Sequence, residues 1–308
     1  MHFPRDYYAS FIGPQRFIWL ALATPRFLRP ALKVAFAALR QFFLPQFQTA
    51  IFHTRPVVYV DHRIDRAIPF QPSIVSLYMS FIPLWMNAVY CLNRRYGRAA
   101  DAHLIAFLEG IAQLYDEAGS VYLRCHSTTV RPKRLPNLSC AMIQVLDPHL
   151  NCIPSLHVTI VFGAWMLARE VVSAMGAPTG DAMGSPTGDA MAEAWLASLY
   201  NHAQRIAETT MLMKQHSVNC VGASLWYLHA RYPARFSESH CAAIIDGLFT
   251  LEGREVAVKE EARARIREVF ALLKQDAAGG GHWRGPILRF IESYPGTAPD
   301  FSPMLPSN

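Results

Sequence analysis

Three short stretches bring together residues that could bind and cut a phosphate. Arg124-Cys-His-Ser-Thr-Thr-Val-Arg131-Pro132, continuing into Lys133 and Arg134, holds two arginines able to give charge-assisted, bidentate hydrogen bonds to phosphoryl oxygens. Cys152-Ile-Pro154-Ser155-Leu156-His157 reads as a helix start with Ser155 as N-cap, where free backbone N–H groups and the dipole favour an anion. Lys214-Gln215-His216-Ser-Val-Asn219-Cys220 adds an ammonium two residues before a histidine. Each stretch alone has a plainer reading. Basic residues before a proline end a solvated helix, Pro-Ser opens an ordinary one, and a lone histidine is most often a hydrogen-bonded core residue. Together they describe an oxyanion site in which two histidines divide the labour, one attacking phosphorus and the other protonating the leaving oxygen. The cations do the electrostatic work, so neither metal nor cofactor is expected.

These residues have to be positioned by helices. Of 308 residues 52% are hydrophobic and 17% charged, which excludes intrinsic disorder and allows a sizeable core. Glycine and cysteine are too few for collagen or a disulfide scaffold, and no Cys pair has C-x2-C spacing. The six cysteines are expected to be reduced thiols. Nothing resembles a nucleic-acid module, and the net charge of +6 fits a lipid surface or a phosphate substrate. The first apolar run, Phe17 to Thr24, lies between Arg16 and Arg26 and is too short for a secretory signal.

Runs without Asp, Glu, Lys or Arg map the organisation. Ala67–Asn93, Pro148–Ala168 and Gln215–Ala230 are such runs, and Ser73–Leu92 is long enough to cross a bilayer, with Pro83 kinking it. Arg94, Arg95 and Arg98 follow directly, as a cytoplasmic flank would. His103–Leu123 and Trp195–Met213 carry charges that lipid tolerates only against a protein interior. A mean hydropathy of +0.13 sits between a soluble enzyme and a mostly membrane-spanning chain. The expectation is an all-α helical bundle, membrane-associated, with a soluble cytoplasmic bundle as the alternative. Val57–Val60 is the one weak strand pattern. An N-terminal helical extension covers 1–60 and a helical core 61–250, the part that contains the three stretches. Within that core a loop insertion, 174–192, carries a tandem Ala-Met-Gly-(Ala/Ser)-Pro-Thr-Gly-Asp duplication. A solvated amphipathic helix follows at 251–276, then a tail, 277–308, whose glycine run and prolines predict mobility.

The three stretches, in this order, resemble the type 2 phosphatidic acid phosphatase superfamily, which includes the vanadium haloperoxidases. Its signature runs K-x6-R-P, P-S-G-H and S-R-x5-H-x3-D. This chain has Arg124-x6-Arg131-Pro132, then Pro154-Ser155-Leu156-His157, then His216. Ile68-Pro69-Phe70-Gln71-Pro72 with Tyr78 and Pro83, and Lys214-Gln215-His216, are similar to the inositol phosphorylceramide synthase branch. The similarity spans roughly Asp61 to Tyr227. It implies a bundle of the phosphatase kind acting on a lipid or isoprenoid phosphate or diphosphate. His216 would be the nucleophile that forms a phosphohistidine and His157 the general acid. Arg124, Arg131, Ser155 and Lys214 would hold the phosphoryl oxygens. Two positions depart from the pattern: Thr210 stands where the family has arginine, and Cys220 where it has the aspartate that orients the nucleophile. Cys220 is a weak hydrogen-bonding partner for that role. Alternative functions on the same scaffold are ionisation of a prenyl diphosphate, a catalytically inactive membrane protein and a vanadate haloperoxidase.

Overall fold

The computed structural model describes residues 13–132, 137–176, 187–250, 257–280 and 282–295. Of these, 76% are helical and 3% lie in strands. Lys133 and Arg134 fall outside the described residues, as do 177–186 of the insertion.

One helix organises the rest. Helix α9 (Leu156–Gly176) is apolar on every side and buries nearly all of its first thirteen residues. It is packed by α6 (Phe81–Tyr96), α7 (Asp101–Tyr122), α10 (Thr187–Leu212) and α11 (Val218–Arg231). The helical run Pro72–Tyr122 and α9 are long and apolar enough to cross a membrane, with mean hydropathies of 1.4 and 1.5. Within the fold, 61% and 72% of those windows are buried against other helices. The Ser73–Leu92 stretch is not one continuous span. A 3-10 turn leads into the short α5 (Val75–Tyr78), the chain turns at Met79–Ser80, and α6 begins with Pro83 in its first turn. Proline is tolerated there because the first N–H groups of a helix have no partner within it, so no mid-helix kink arises.

The acids of α7 meet protein partners. Glu117 accepts from Tyr227 Oη (2.6 Å) and Arg231 Nε (2.7 Å), and Asp116 accepts from Gln41 Nε2 (3.0 Å). Gln41 belongs to a π-helical turn, Ala38–Phe43, that joins α2 (Pro25–Ala37) to α3 (Leu44–Phe52). With α1 (Gly13–Ala23), these form the expected N-terminal helical region, which packs on α6 and α7.

The Val57–Val60 pattern does form a strand, β1 (Val57–Tyr59), paired in parallel with β2 (His126–Thr128). Ser127 also bridges Asn151, so three extended segments run side by side. The second strand lies inside the first chemical stretch, which periodicity left unassigned. Its His-Ser-Thr side chains are polar yet buried, the opposite of a strand signature.

Three boundaries differ from expectation. Helix α9 extends to Gly176, and α10 starts at Thr187, so the second Thr-Gly-Asp opens a helix rather than closing a loop. The helix near 251–276 is α13 (Lys259–Ala277), with Ala262, Ile266, Val269 and Leu273 buried, chiefly against α11. The supposed mobile tail contains α14 (Arg284–Glu292), docked through buried Trp283, Ile287 and Ile291. Those three apolar residues outweigh the glycine run before them as a folding signal. Residues 296–308 lie outside the described residues.

Gly222 marks the closest approach of α11 and α13. A Cβ there would lie 2.8 Å from the Ile266 carbonyl oxygen and 2.8 Å from Val269 Cβ. Gly222→Ala is therefore expected to destabilise by about 1–3 kcal/mol through overpacking, exceeding the roughly 1 kcal/mol that helix propensity returns. A thermal melt checks the sign.

Candidate active site

Each chemical stretch is held by a different local device. The extended segments hold the first two. Ser127 N donates to the Leu150 carbonyl and Cys152 N to the Ser127 carbonyl, each at 3.1 Å, while Ile153 N donates to Ser127 Oγ at 2.8 Å. This lays the chain from Cys152 to Ser155 beside β2. Tyr122 Oη donates to the Pro154 carbonyl, and Ser155 N donates to Ser224 Oγ on α11 at 2.7 Å. Ser155 then caps α9 as expected, with Oγ accepting from Val158 N at 3.4 Å.

The third stretch is the turn between α10 and α11. Lys214 takes a left-handed conformation, φ 54°, and Gln215 N and His216 N both donate to the Thr210 carbonyl, at 2.9 and 3.0 Å. Ser217 caps α11, accepting from Asn219 N at 3.1 Å. An outside carboxylate reinforces that cap: Asp65 accepts from Ser217 Oγ (2.6 Å) and Val218 N (3.0 Å). Asp65 also closes a capping box on α4 (Arg63–Ala67), taking His62 N at 2.7 Å.

These devices bring Ser155, His157 and His216 together. Ser155 Oγ and His216 Nε2 lie 3.2 Å apart, and the two histidine rings have centroids 5.5 Å apart. His157 is stacked on Tyr78 at 4.3 Å and lies 4.1 Å from the Phe81 ring. Burial holds His157 well below the usual histidine range and pushes His216 down to about 3, against an upward pull from the Cys152 carbonyl. Both rings are thus neutral at pH 7. Because Ser155 Oγ already accepts from Val158 N, its hydroxyl proton can point at His216 Nε2. In that arrangement His216 carries its proton on Nδ1 and a lone pair on Nε2.

His216 stands between two spaces. A cleft of about 210 Å³ is lined by Asp61, Thr129, Arg131, Lys214, His216 and Ser217, among others. A much smaller inner pocket, about 10 Å³, is bounded by Phe42, Asp147, His149, His157 and His216. Arg131 donates from Nη1 to the Asp147 carbonyl at 2.9 Å, with Nη2 3.6 Å from the Asp147 carboxylate. Its Nε and Nη2 are buried without a hydrogen-bond partner, as are His157 Nε2 and His216 Nδ1. Buried donors in that state are rare, and here they cluster around one histidine.

The expected set is only partly assembled. Arg131, Lys214 and His216 share the cleft; Ser155 reaches it through His216; His157 faces the inner pocket. Lys214 is already engaged, donating through Nζ to the carbonyls of Asp65 and Ile68. Arg124 is not part of the site: it is exposed on the turn after α7 and lines neither space. On a helix, positions seven apart would share a face. Here β2 intervenes, and seven extended residues can span about 23 Å. Cys220 does not orient His216 either. It is fully buried as a free thiol whose hydrogen-bonding neighbour is the Cys152 thiol, and burial with that contact raises its pKa well above the ordinary range. Thr210 is buried as well, its hydroxyl turned back onto the Ala207 carbonyl at 2.7 Å inside α10.

Four further residues belong to the site. Asp61 accepts from Val130 N at 3.0 Å and is pushed up to about 6, mainly by burial. Asp65 lines the same cleft. Its place three residues after His62 is a capping-box spacing that a sequence reading could have used. His149, in a left-handed turn (φ 65°), accepts or donates at 2.7 Å to Thr129 Oγ1 and lies 6.1 Å from His216 between ring centroids. Asp147 holds Arg131. Nothing local in the sequence singles out Asp61, Asp147 or His149. Among the described residues, no group of three or more His, Cys, Asp and Glu side chains is placed to hold a metal ion.

The electrostatics predict a pH dependence. A bound dianion would raise the pKa of His216, His157 and His149 and oppose ionisation of Asp61, so binding takes up protons. Sulfate, which stays dianionic over this range, is expected to bind on the order of tenfold more tightly at pH 5 than at pH 8. Asp61→Asn is expected to flatten the part of that slope near pH 6. Calorimetry in buffers of differing ionisation enthalpy measures both.

No family model matches the chain, and no curated protein and no solved structure matches it significantly.

Proposed function

We propose that this protein is a phosphatase or phosphotransferase that acts on a lipid or isoprenoid phosphate or diphosphate through His216. The observation that carries the reading is the set of buried nitrogens without hydrogen-bond partners on Arg131 and His216, which line the cleft, and on His157, which faces the inner pocket on the other side of His216. Positive and neutral N–H groups in that state match the oxygens of a phosphoryl group. A cleft of about 210 Å³ admits the phosphate and leaves the apolar remainder of a substrate outside.

In the proposed reaction the Nε2 lone pair of His216 attacks phosphorus, and Ser155 transfers its hydrogen bond from that nitrogen to a phosphoryl oxygen. As the N–P bond forms, the bond from phosphorus to the ester or anhydride oxygen breaks, and the electron pair leaves with that oxygen. A leaving alkoxide needs a proton. Neutral His157 supplies one only after the phosphate has raised its pKa enough to protonate it; the Asp61 carboxyl, held near 6, is a second source at mildly acidic pH. Water or an alcohol then attacks the phosphohistidine and gives its proton to whichever group protonated the leaving oxygen, now its conjugate base, while the P–N bond breaks and its electron pair returns to His216 Nε2.

The test is product analysis on purified protein with phosphatidic acid and farnesyl diphosphate, measuring phosphate and diphosphate separately beside a His216→Ala control. Phosphate release that disappears in the control supports the reading. Diphosphate release without a phosphohistidine would replace it with ionisation of a prenyl diphosphate. Release of neither would leave an inactive scaffold.

A further inference from the structure

The outermost faces of the N-terminal helices are apolar. At 100° per residue, α2 turns Phe27, Pro30, Val34 and Ala37 toward the core, and the direction opposite them is occupied by Leu32, Phe36 and Leu39. Leu32 is 58% and Phe36 61% exposed. A surface helix ordinarily carries charge on that side. The same inversion occurs in α1, where Trp19, 68% exposed, lies opposite buried Phe17 and Ala21. In α3, Leu44 and Ile51 lie opposite buried Pro45 and Thr49. Helix α8 (Leu138–Leu146) repeats it with Leu138 and Val145. The loop that follows α8 is fastened to the N-terminal helices, because Leu150 N donates to Gln46 Oε1 (3.4 Å) and Asn151 Nδ2 to the Phe42 carbonyl (3.0 Å).

Charge says what covers this surface. Residues 7–60 hold six of the chain's 29 Lys and Arg and none of its 23 Asp and Glu, so the remainder of the chain carries no net charge. On α2 the bases form a strip beside the apolar face: Arg29 and Arg40, with Lys33 and Arg26 next to them. Arg26 pairs with Asp101 and Lys33 with Glu109. Arg29 and Arg40 are exposed and take part in no ion pair among the described residues. An outward apolar face with exposed Trp and Phe, flanked by unpaired arginines and without acids of its own, fits the headgroup region of an anionic bilayer.

We infer that α1, α2 and α3, with α8 beside them, dock on the surface of an anionic phospholipid bilayer, the apolar faces lying in the interface plane and the arginines on lipid headgroups. The contact is made by side chains that take no part in the core, and it does not depend on the reaction proposed for His216. A second copy of the chain would have to meet the same basic strip with its own, a like-charge arrangement that disfavours self-association.

The test uses the full chain and sedimentation with phosphatidylcholine vesicles, with and without about one third phosphatidylserine. Wild type is expected to co-sediment with the anionic vesicles. Leu32→Glu combined with Phe36→Glu, at two exposed positions, should lower partitioning at least about tenfold with the helical circular dichroism unchanged. Arg29→Gln with Arg40→Gln should remove about tenfold of the phosphatidylserine-dependent part only. Equal partitioning of wild type and the Leu32/Phe36 variant would overturn the inference. So would a wild-type dimer that ignores vesicles and becomes monomeric in that variant, which would assign the face to a second copy.

Discussion

His216→Ala is expected to lower turnover of a phosphate ester or diphosphate by at least about 10³-fold, with the fold intact and KM little changed. The ring is the one imidazole that the open cleft reaches, and burial keeps it neutral, with its pKa near 3. A neutral imidazole has the lone pair that attack on phosphorus needs, in a cleft that Arg131 also lines. Alanine would remove the atom proposed to attack while leaving Arg131 and Lys214 in place, so ground-state binding of an anion is expected to persist. The ring makes one side-chain hydrogen bond, to Ser155, and its loss leaves the Thr210 carbonyl bonds of the turn untouched. Steady-state kinetics with parallel circular dichroism checks the split between kcat and fold. Turnover within about threefold of wild type would mean that His216 does not form the covalent bond.

Asp65→Ala is expected to destabilise the protein by about 3–5 kcal/mol. Its carboxylate takes hydrogen bonds from His62 N, Ser217 Oγ and Val218 N, which close two helix starts at once. Burial raises its pKa, and these donors and neighbouring Lys214 offset only part of that cost. Alanine strands three donors, and the α10–α11 turn that presents Lys214 and His216 loses its outside anchor. Asparagine keeps the shape but must set an N–H₂ against at least one N–H or O–H donor, so a loss of about 1–3 kcal/mol is expected. Urea unfolding of both variants measures the order Ala, Asn, wild type. A destabilisation below about 1 kcal/mol for Asp65→Ala would show that water replaces the carboxylate without penalty.

Much of this molecule is legible along the chain because the signals are local. Pro154-Ser155 before an apolar run does open a capped helix, and Val57–Val60 does form a strand. The failures share a cause. Ser73–Leu92 has the length of a membrane span, but its break at Met79–Ser80 is set by packing against neighbours, among them His202, whose Nε2 lies 2.8 Å from Ser80 Oγ. The tail folds because Trp283, Ile287 and Ile291 are buried where α14 meets the preceding α13 and, from far away in sequence, α7 and Tyr227.

Residue types and spacing determined by themselves that this is a helical protein and that it carries three chemical stretches. Helix starts, turns and apolar periodicity depend on neighbours a few residues away, and the sequence holds those in full. Tertiary structure alone decided which charges meet. Arg131 enters the cleft and Arg124 does not, because a three-residue strand separates them. The Cys220 thiol faces the Cys152 thiol instead of His216, and Asp61, Asp65 and His149 join the site from other parts of the chain. The protonation states belong to that level too, since the neutrality of His157 and His216 arises from burial among α6, α9 and α11, which no stretch of sequence contains alone.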